Sequence, residues 1–253
     1  MRVTFLGTGT SQGVPVIGCK CAVCQSLDYR DKRLRSSVHL LIGGTSIVID
    51  TGPDFRAQML REQIDRLDAI LFTHAHRDHT AGLDDVRAYN FMQQMDLPVY
   101  GTAMTLEQLR GDFAYAFQEN PYPGIPRLKL NGIDQAPFQV GGTTVTPLPV
   151  MHLRLPVLGF RIGDFSYITD ANFIPESTLE RLRGTRILVL NALQRESHIA
   201  HFNLEEALGI ARLVGAPATY FTHISHKLGT HASVQRELPE GISLACDGLQ
   251  LEL

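Results

Sequence analysis

Residues 73–79 read "THAHRDH" and follow the apolar run "AILF" (69–72). They place His74, His76, Asp78 and His79, four side chains of metal-ligating type, within six positions at the end of a strand. Burying such groups unpaired costs roughly 2–7 kcal/mol apiece, so they must face something polar. In extended chain, residues two apart project to the same side, which puts His74 with His76. Asp78 and His79 fall on the next turn and can reach a second ion. The stretch therefore predicts a metal pair seated at the end of a strand.

Outward from this stretch, short β-branched runs alternate with amphipathic segments through the 253 residues, predicting a layered α/β fold. Strands are expected in "VTFLGTG", "SVHLLIGG", "TSIVIDTG", "DAILFTH", "LPVYG", "FQVGGTTVTPLPV", "LGFRIGDFSYITD", "RILVLNAL", "ATYFTHIS" and "LACDGLQLEL". Helices are expected in "FRAQMLREQI", "AGLDDVRAYNFMQQ", "TLEQLRGDFAYAF", "PESTLERLR", "NLEEALGIARLV" and "ASVQREL". The "GG" turns read as hairpins, which an all-parallel sheet cannot contain, so the sheet should be mixed and covered by helices. No fixed-period repeat interrupts the chain, and the Pro-rich "NPYPGIP" (120–126) reads as a loop inside one domain spanning 1–253. Gly7, Gly9 and Gly13 form GxGxxxG, one residue too long for a dinucleotide fingerprint and not followed by a helix.

Composition narrows the classes further. A net charge of -3 provides no general attraction for nucleic acid or an anionic membrane, so stable nucleic-acid binding is not expected and any anionic substrate needs a local site. "MRVTFLGTGTSQG" lacks a signal-peptide core and no apolar run reaches spanning length, so the expectation is a cytoplasmic protein without membrane attachment. A homodimer is compatible with the sequence. The densest cysteine use is "VIGCKCAVC" (16–24), with Cys19, Cys21 and Cys24; Cys246 is the only other cysteine. A disulfide would strand one thiol of the three, whereas a tetrahedral zinc site takes all three and needs a fourth ligand from elsewhere. Cys246 is one candidate, although "ISLACDGLQLEL" reads as an alternating strand in which a cysteine is a small core residue. Three reduced, unliganded thiols remain the plain alternative.

HxHxDH is the signature of the metallo-β-lactamase superfamily, and the chain resembles it almost throughout: "IVIDTG" with Asp50, "THAHRDH", "PVMH" with His152, "YITDAN" with Asp170 and "FTHISH" with His223 arrive in the family's order. The resemblance implies an αββα sandwich of two mixed sheets flanked by helices. It implies that His74, His76 and His152 hold one divalent metal, that Asp78, His79 and His223 hold a second, that Asp170 bridges them, and that Asp50 orients a ligand from behind. Zinc or manganese suits such imidazole and carboxylate donors. The cysteine-rich loop, with a histidine three residues beyond His223, is similar to PhnP-like phosphodiesterases, which implies a structural zinc on Cys19, Cys21, Cys24 and His226. His201, in "AHFNLEEA", falls at the point where PhnP-like and tRNA-maturing members place a proton donor for the leaving group; His198 is its neighbour.

The function so implied is hydrolysis of a small sugar- or nucleotide-type phosphodiester, cyclic ones included, with water activated between two metals, Asp78 holding and orienting, and His201 as general acid. Other readings are an RNA-processing phosphodiesterase, a thioesterase or lactonase, and a non-hydrolytic protein like the pyrroloquinoline quinone biosynthesis member. The basic run "YRDKRLRSS" (29–37) reads as a solvated loop with only a weak hint of phosphate contact, and Asp84, Asp85 and Arg87 could line the pocket or cap a helix. His39 and His231 read as structural.

Overall fold

The computed structural model describes residues 1–119 and 122–253. The strands are β1 (Arg2–Gly7), β2 (Ser37–Ile42), β3 (Thr45–Ile49), β4 (Ala69–Leu71), β5 (Leu97–Gly101), β6 (Leu128–Gly132), β7 (Phe138–Val140), β8 (Thr143–His152), β9 (Leu155–Ile162), β10 (Phe165–Tyr167), β11 (Ile187–Asn191), β12 (Ala218–Thr222), β13 (Ile242–Leu244) and β14 (Gln250–Glu252). They form two seven-stranded sheets, ordered β14-β1-β2-β3-β4-β5-β6 and β13-β12-β11-β10-β9-β8-β7. Each sheet is mixed: β14 to β3 pair antiparallel and β3 to β6 parallel. The second sheet repeats the pattern, antiparallel from β7 to β10 and parallel from β10 to β13.

The alternation of side chains along the strands builds three apolar layers. Val3, Phe5, Leu40, Ile47 and Ile49 of the first sheet meet Phe160, Phe165, Tyr167 and Val189 of the second. Their neighbours point the other way: Leu6, Val48, Ile70 and Val99 pack under α1 (Phe55–Arg61), α3 (Arg87–Gln93) and α4 (Ala103–Asp112). Leu148, Leu188, Leu190 and Phe221 pack under α5 (Glu176–Leu182), α6 (Leu204–Val214) and α7 (His231–Gln235). Each such fully buried side chain contributes about 1.5–3 kcal/mol. The result is the αββα sandwich that the family resemblance implies. Two hairpins turn on Gly43-Gly44 and Gly141-Gly142, all four with positive φ, the conformation a two-residue type I′ turn demands.

Three expectations change. The helix anticipated over 81–94 is divided: α2 (Arg77–Thr80) already encloses Asp78 and His79, a 3-10 turn covers Leu83–Val86, and α3 follows. The break falls where Gly82 donates its N–H to Thr51 O, tying the chain to the loop after β3. "LACDGLQLEL" is two strands in different sheets; Cys246 lies in the link between β13 and β14, because Gly248 (φ 84°) turns the chain from one sheet to the other. The basic run 29–37 is no solvated loop. Arg33, 3% exposed, donates to Thr8 Oγ1 (2.8 Å) and Ala245 O (2.6 Å) and lies 3.1 Å from His231 Nδ1. Arg35 pairs with Asp54 at 3.1 Å and Arg30 with Asp28 at 2.6 Å. The stretch "NPYPGIP" has no regular structure over 122–126, while Asn120 and Pro121 lie outside the described residues. Among the described residues, no helix is long and apolar enough to cross a membrane.

Arg33 thus joins the N-terminal loop, the β13–β14 link and α7 in a buried polar knot. Arg33→Ala should destabilise the fold by about 3 kcal/mol, because Thr8 Oγ1, Ala245 O and His231 Nδ1 lose their partner while staying buried. Denaturant titration reads the change directly, and a variant within 1 kcal/mol of the parent, roughly the worth of an ordinary hydrogen bond, would contradict it.

Candidate active site

The polar cluster forms where parallel strands of both sheets run out, the position at which open α/β sheets place their ligands. Asp50 follows β3, residues 73–79 follow β4, His152 ends β8, Asp170 lies beyond β10, His201 in the loop after β11, and His223 directly after β12. Asp50 (φ 64°), Asp170 (φ 54°) and His223 (φ 54°) adopt left-handed backbone, sparsely populated by residues other than glycine and asparagine-like ones. The strand must stop there and turn its next side chain into the cleft. Asn203 caps α6 in a capping box with Glu206, which fixes the helix entry two residues after His201.

Two groups of ligand-type atoms converge, each lying within 4.8 Å of one another: His74, His76, His152 and Asp170 in one, Asp78, His79, Asp170 and His223 in the other. Asp170 belongs to both. Its Oδ1 lies 3.0 Å from His223 Nδ1 and 3.4 Å from His79 Nε2, and its Oδ2 lies 3.8 Å from His74 Nε2. Asp78 Oδ2 stands 3.2 Å from His79 Nε2. Behind them Asp50, wholly buried, accepts from Thr73 N (2.9 Å), Thr73 Oγ1 (2.8 Å) and His79 Nδ1 (2.7 Å). His152 Nδ1 donates to Ala200 O at 2.8 Å. These bonds fix the tautomers and turn the Nε2 lone pairs of His79 and His152 forward.

Whether the site suits metal can be judged from its own atoms. His74 Nε2 and His79 Nε2 are buried without any hydrogen-bond partner, a cost of about 1–3 kcal/mol each unless something ligates them. Burial, reinforced by neighbouring His79, holds the His74 imidazole well below its ordinary pKa, in the neutral form that binds metal. For His79 burial acts downward too, but Asp170, Asp78 and Asp50 outweigh it. Five imidazoles crowded around carboxylates, two of them with a buried Nε2 that meets no protein partner, fit divalent cations. His201 packs 4.6 Å from His152 and 4.9 Å from His223, ring to ring, with a buried and unpartnered Nδ1. Burial first, then His223, pushes its pKa down to about 3, which favours the neutral ring. His198 is farther out, 5.1 Å from His201, with Nδ1 accepting from Ala200 N.

A second cluster lies beside the first. Cys19, Cys21, Cys24 and His226 bring their ligand atoms within 4.8 Å of one another, with His226 Nδ1 3.3 Å from Cys19 Sγ and 3.4 Å from Cys21 Sγ. Cys246 is not among them. The Cys24 N–H and then His226 lower the Cys21 thiol to about 6, toward the thiolate that metals take. The clusters share a seam: Ile224, between His223 and His226, exchanges backbone bonds with Thr8 and Thr10 of the glycine loop, and Thr10 Oγ1 reaches His223 Nε2 at 3.3 Å. Asp84 and Arg87 pair with each other at 3.0 Å, and Tyr115 donates to Asp84, so these two brace helices; Asp85 borders a separate groove between α1 and α3. His39 bonds Ser46 in the first sheet.

Sequence reading passed over Gly52 and Gly82. A Cβ on Gly52 would meet Asp78 O at 2.2 Å, and one on Gly82 would meet Gly52 O at 2.2 Å. These two glycines let the Asp50 loop lie against the loop of His76, Asp78 and His79. The only sequence signal was "DTG" itself. A cavity of about 520 Å³ opens beside His74 and His76 toward α4.

Comparison with known proteins agrees with this geometry. The family model described as "Beta-lactamase superfamily domain" matches residues 45–224. A crystal structure of a diphosphatase from the PhnP family superimposes with a TM-score of 0.94 at 42% identity, covering 100% of this chain and 97% of that one. An octanoyltransferase of Porphyromonas gingivalis is 42% identical over 99% of this chain, which spans only 51% of that protein. A ribonuclease Z of a Mycobacterium species is 27% identical over 88% of this chain and 84% of its own length.

Gly52→Ala should force the two loops apart. The expected outcome is at least tenfold weaker divalent-metal binding, the scale typical of disturbed supporting residues, measured by calorimetry on metal-stripped protein. Unchanged affinity would mean the glycine contact does not position Asp78.

Proposed function

The chain belongs to the beta-lactamase superfamily by its match over residues 45–224, and from that premise we propose that it is a dinuclear metal-dependent hydrolase cleaving a phosphodiester bond in a small sugar- or nucleotide-type molecule. The observation that carries the reading is the pair of complete donor groups joined by Asp170. A binding protein that had lost hydrolysis would not need both. His74, His76, His152 and Asp170 would hold one divalent ion, zinc or manganese, and Asp78, His79, Asp170 and His223 the other. Bound there, such ions supply Lewis-acid polarisation of a phosphoryl oxygen and acidify water. We assign a third, structural zinc to Cys19, Cys21, Cys24 and His226, a closed set of soft donors.

The protein's own groups do the remaining work. Asp50 takes the His79 Nδ1–H and so turns Nε2 toward the cleft, and Ala200 O does the same for His152. Asp78, at the mouth of α2, orients the attacking water. His201 supplies a proton to the departing oxygen: its Nδ1 is committed to no protein group, and an entering phosphodiester anion would raise its pKa from about 3. Similarity to a PhnP-family diphosphatase over the full chain favours a second bond type, the phosphoanhydride, at the same site. The net charge of -3 weighs against an RNA substrate of the ribonuclease Z kind.

Turnover decides these assignments. The metal-loaded protein should hydrolyse a nitrophenyl phosphodiester and lose that activity on mild chelation; absence of turnover on esters and anhydrides alike would overturn the hydrolase reading. His201→Ala should cost on the order of 10²–10⁴-fold with a ribose cyclic phosphate, where a sugar alkoxide departs, and much less with the nitrophenyl ester. Equal losses with metals retained would make His201 a phosphate-binding group instead. His226→Ala should release one zinc per chain and lower the melting temperature, whereas His223→Ala should keep that zinc and lose activity. Full zinc content in the His226 variant would remove this histidine from the structural site.

A further inference from the structure

The cavity beside His74 and His76 is bounded on its far side by one stripe of α4: Met104, Gln108 and Asp112, spaced i, i+4, i+8. The opposite stripe of α4, with Leu106 and Leu109, is buried against the first sheet. Gln108 Nε2 donates to Asp112 Oδ1 at 3.1 Å. Asp112 Oδ2 is covered but makes no hydrogen bond; Arg77 Nη1 stands 3.1 Å away, out of hydrogen-bonding alignment. Arg77 itself leans over the Phe113 ring at 5.9 Å. A carboxylate, an amide and a guanidinium thus share one wall next to the candidate metal ligands, and nothing in the active-site chemistry so far uses them.

The chemistry of that wall selects its occupant. A second phosphate would need a cation in excess, but Asp112 already offsets Arg77, so the wall is neutral and presents carboxylate oxygen. A nucleobase would need an aromatic face to stack on, and among the described residues the cavity lining holds no Phe, Tyr or Trp. Sugar hydroxyls both donate and accept: two adjacent ones can donate to a carboxylate while accepting from an amide or guanidinium. Met104 and Leu155 on the flanks suit the apolar face of a furanose ring. Resting on the phosphodiesterase reading, we propose that this cavity seats a sugar bearing a vicinal diol, and that Asp112 and Gln108 are the residues that read the diol. The phosphoryl group then lies at His74 and His76 while the sugar points to α4.

A matched pair of chromogenic esters tests this: the nitrophenyl ester of uridine 5′-phosphate and its 2′,3′-dideoxy counterpart, which share leaving group and phosphorus. The parent protein should prefer the diol substrate by about tenfold or more in kcat/KM, the discrimination expected of a hydrogen bond to a charged acceptor. In Asp112→Asn the preference should fall toward parity through KM, with kcat for the diol substrate within about threefold. Gln108→Leu, on the exposed face of the helix, should lose about half of the preference on a logarithmic scale and serves if the Asp112 variant does not fold. Calorimetric titration of the metal-loaded protein with uridine 5′-monophosphate and its dideoxy analogue reads the same preference without turnover. Diol-selective binding with no hydrolysis would fell the hydrolase reading alone. A parent protein indifferent to the diol, or variants that keep its full preference, would overturn the sugar site.

Discussion

The carboxylate of Asp50, fully buried between β3 and the metal-type loop, is the constraint on which the cleft depends. Burial pushes its pKa upward, and only the three donors from Thr73 and His79 keep a charge tolerable there. The same bonds fasten the end of β3 to the loop after β4 and hold the His79 ring. Its left-handed backbone is the strain accepted for this arrangement.

From that point the two sheets act as opposing jaws. The first contributes a compact sequence block, His74 to His79; the second contributes His152, Asp170 and His223 from the ends of separate strands. Asp170 is the residue that belongs to both groups, so the spacing of the sheets sets the spacing of the two groups. The apolar layer between them, with Phe5, Phe160 and Tyr167, resists such movement because interiors are packed too densely to shear without loss of contact. Rigidity of the sandwich and spacing of the donors are thus one property.

Much of this was legible in the sequence for a definite reason. Ligand-type residues at strand ends have no tolerable buried alternative, and "GG" between β-branched runs has few conformations open to it, so "THAHRDH" and the hairpins announced themselves. Assembly of the distant pieces, His152 through His223, was legible only through resemblance to a family, since spacing alone does not join residues as far apart in the chain as His74 and His223. What could not be read were the contacts made entirely by tertiary packing. Arg33 looked like any loop arginine until Thr8, Ala245 and His231 surrounded it. Cys246 looked like a strand residue because Gly248 does not reveal that it diverts the chain to another sheet. The approach of Gly52 to Asp78 leaves no trace in local pattern.

The pairing of β14 with β1 bears on the order in which the molecule assembles. Arg2 faces Glu252 and Thr4 faces Gln250, so one edge of β1 stays open until the last strand docks. Closing so long a loop costs little at equilibrium, about 0.6 kcal/mol per doubling of its length. Time is the larger charge: pairings this distant in sequence form late, and an exposed strand edge meanwhile invites other chains. Arg2 at the outer end of β1, a charged residue on the unfinished border, is the kind of side chain that discourages such company.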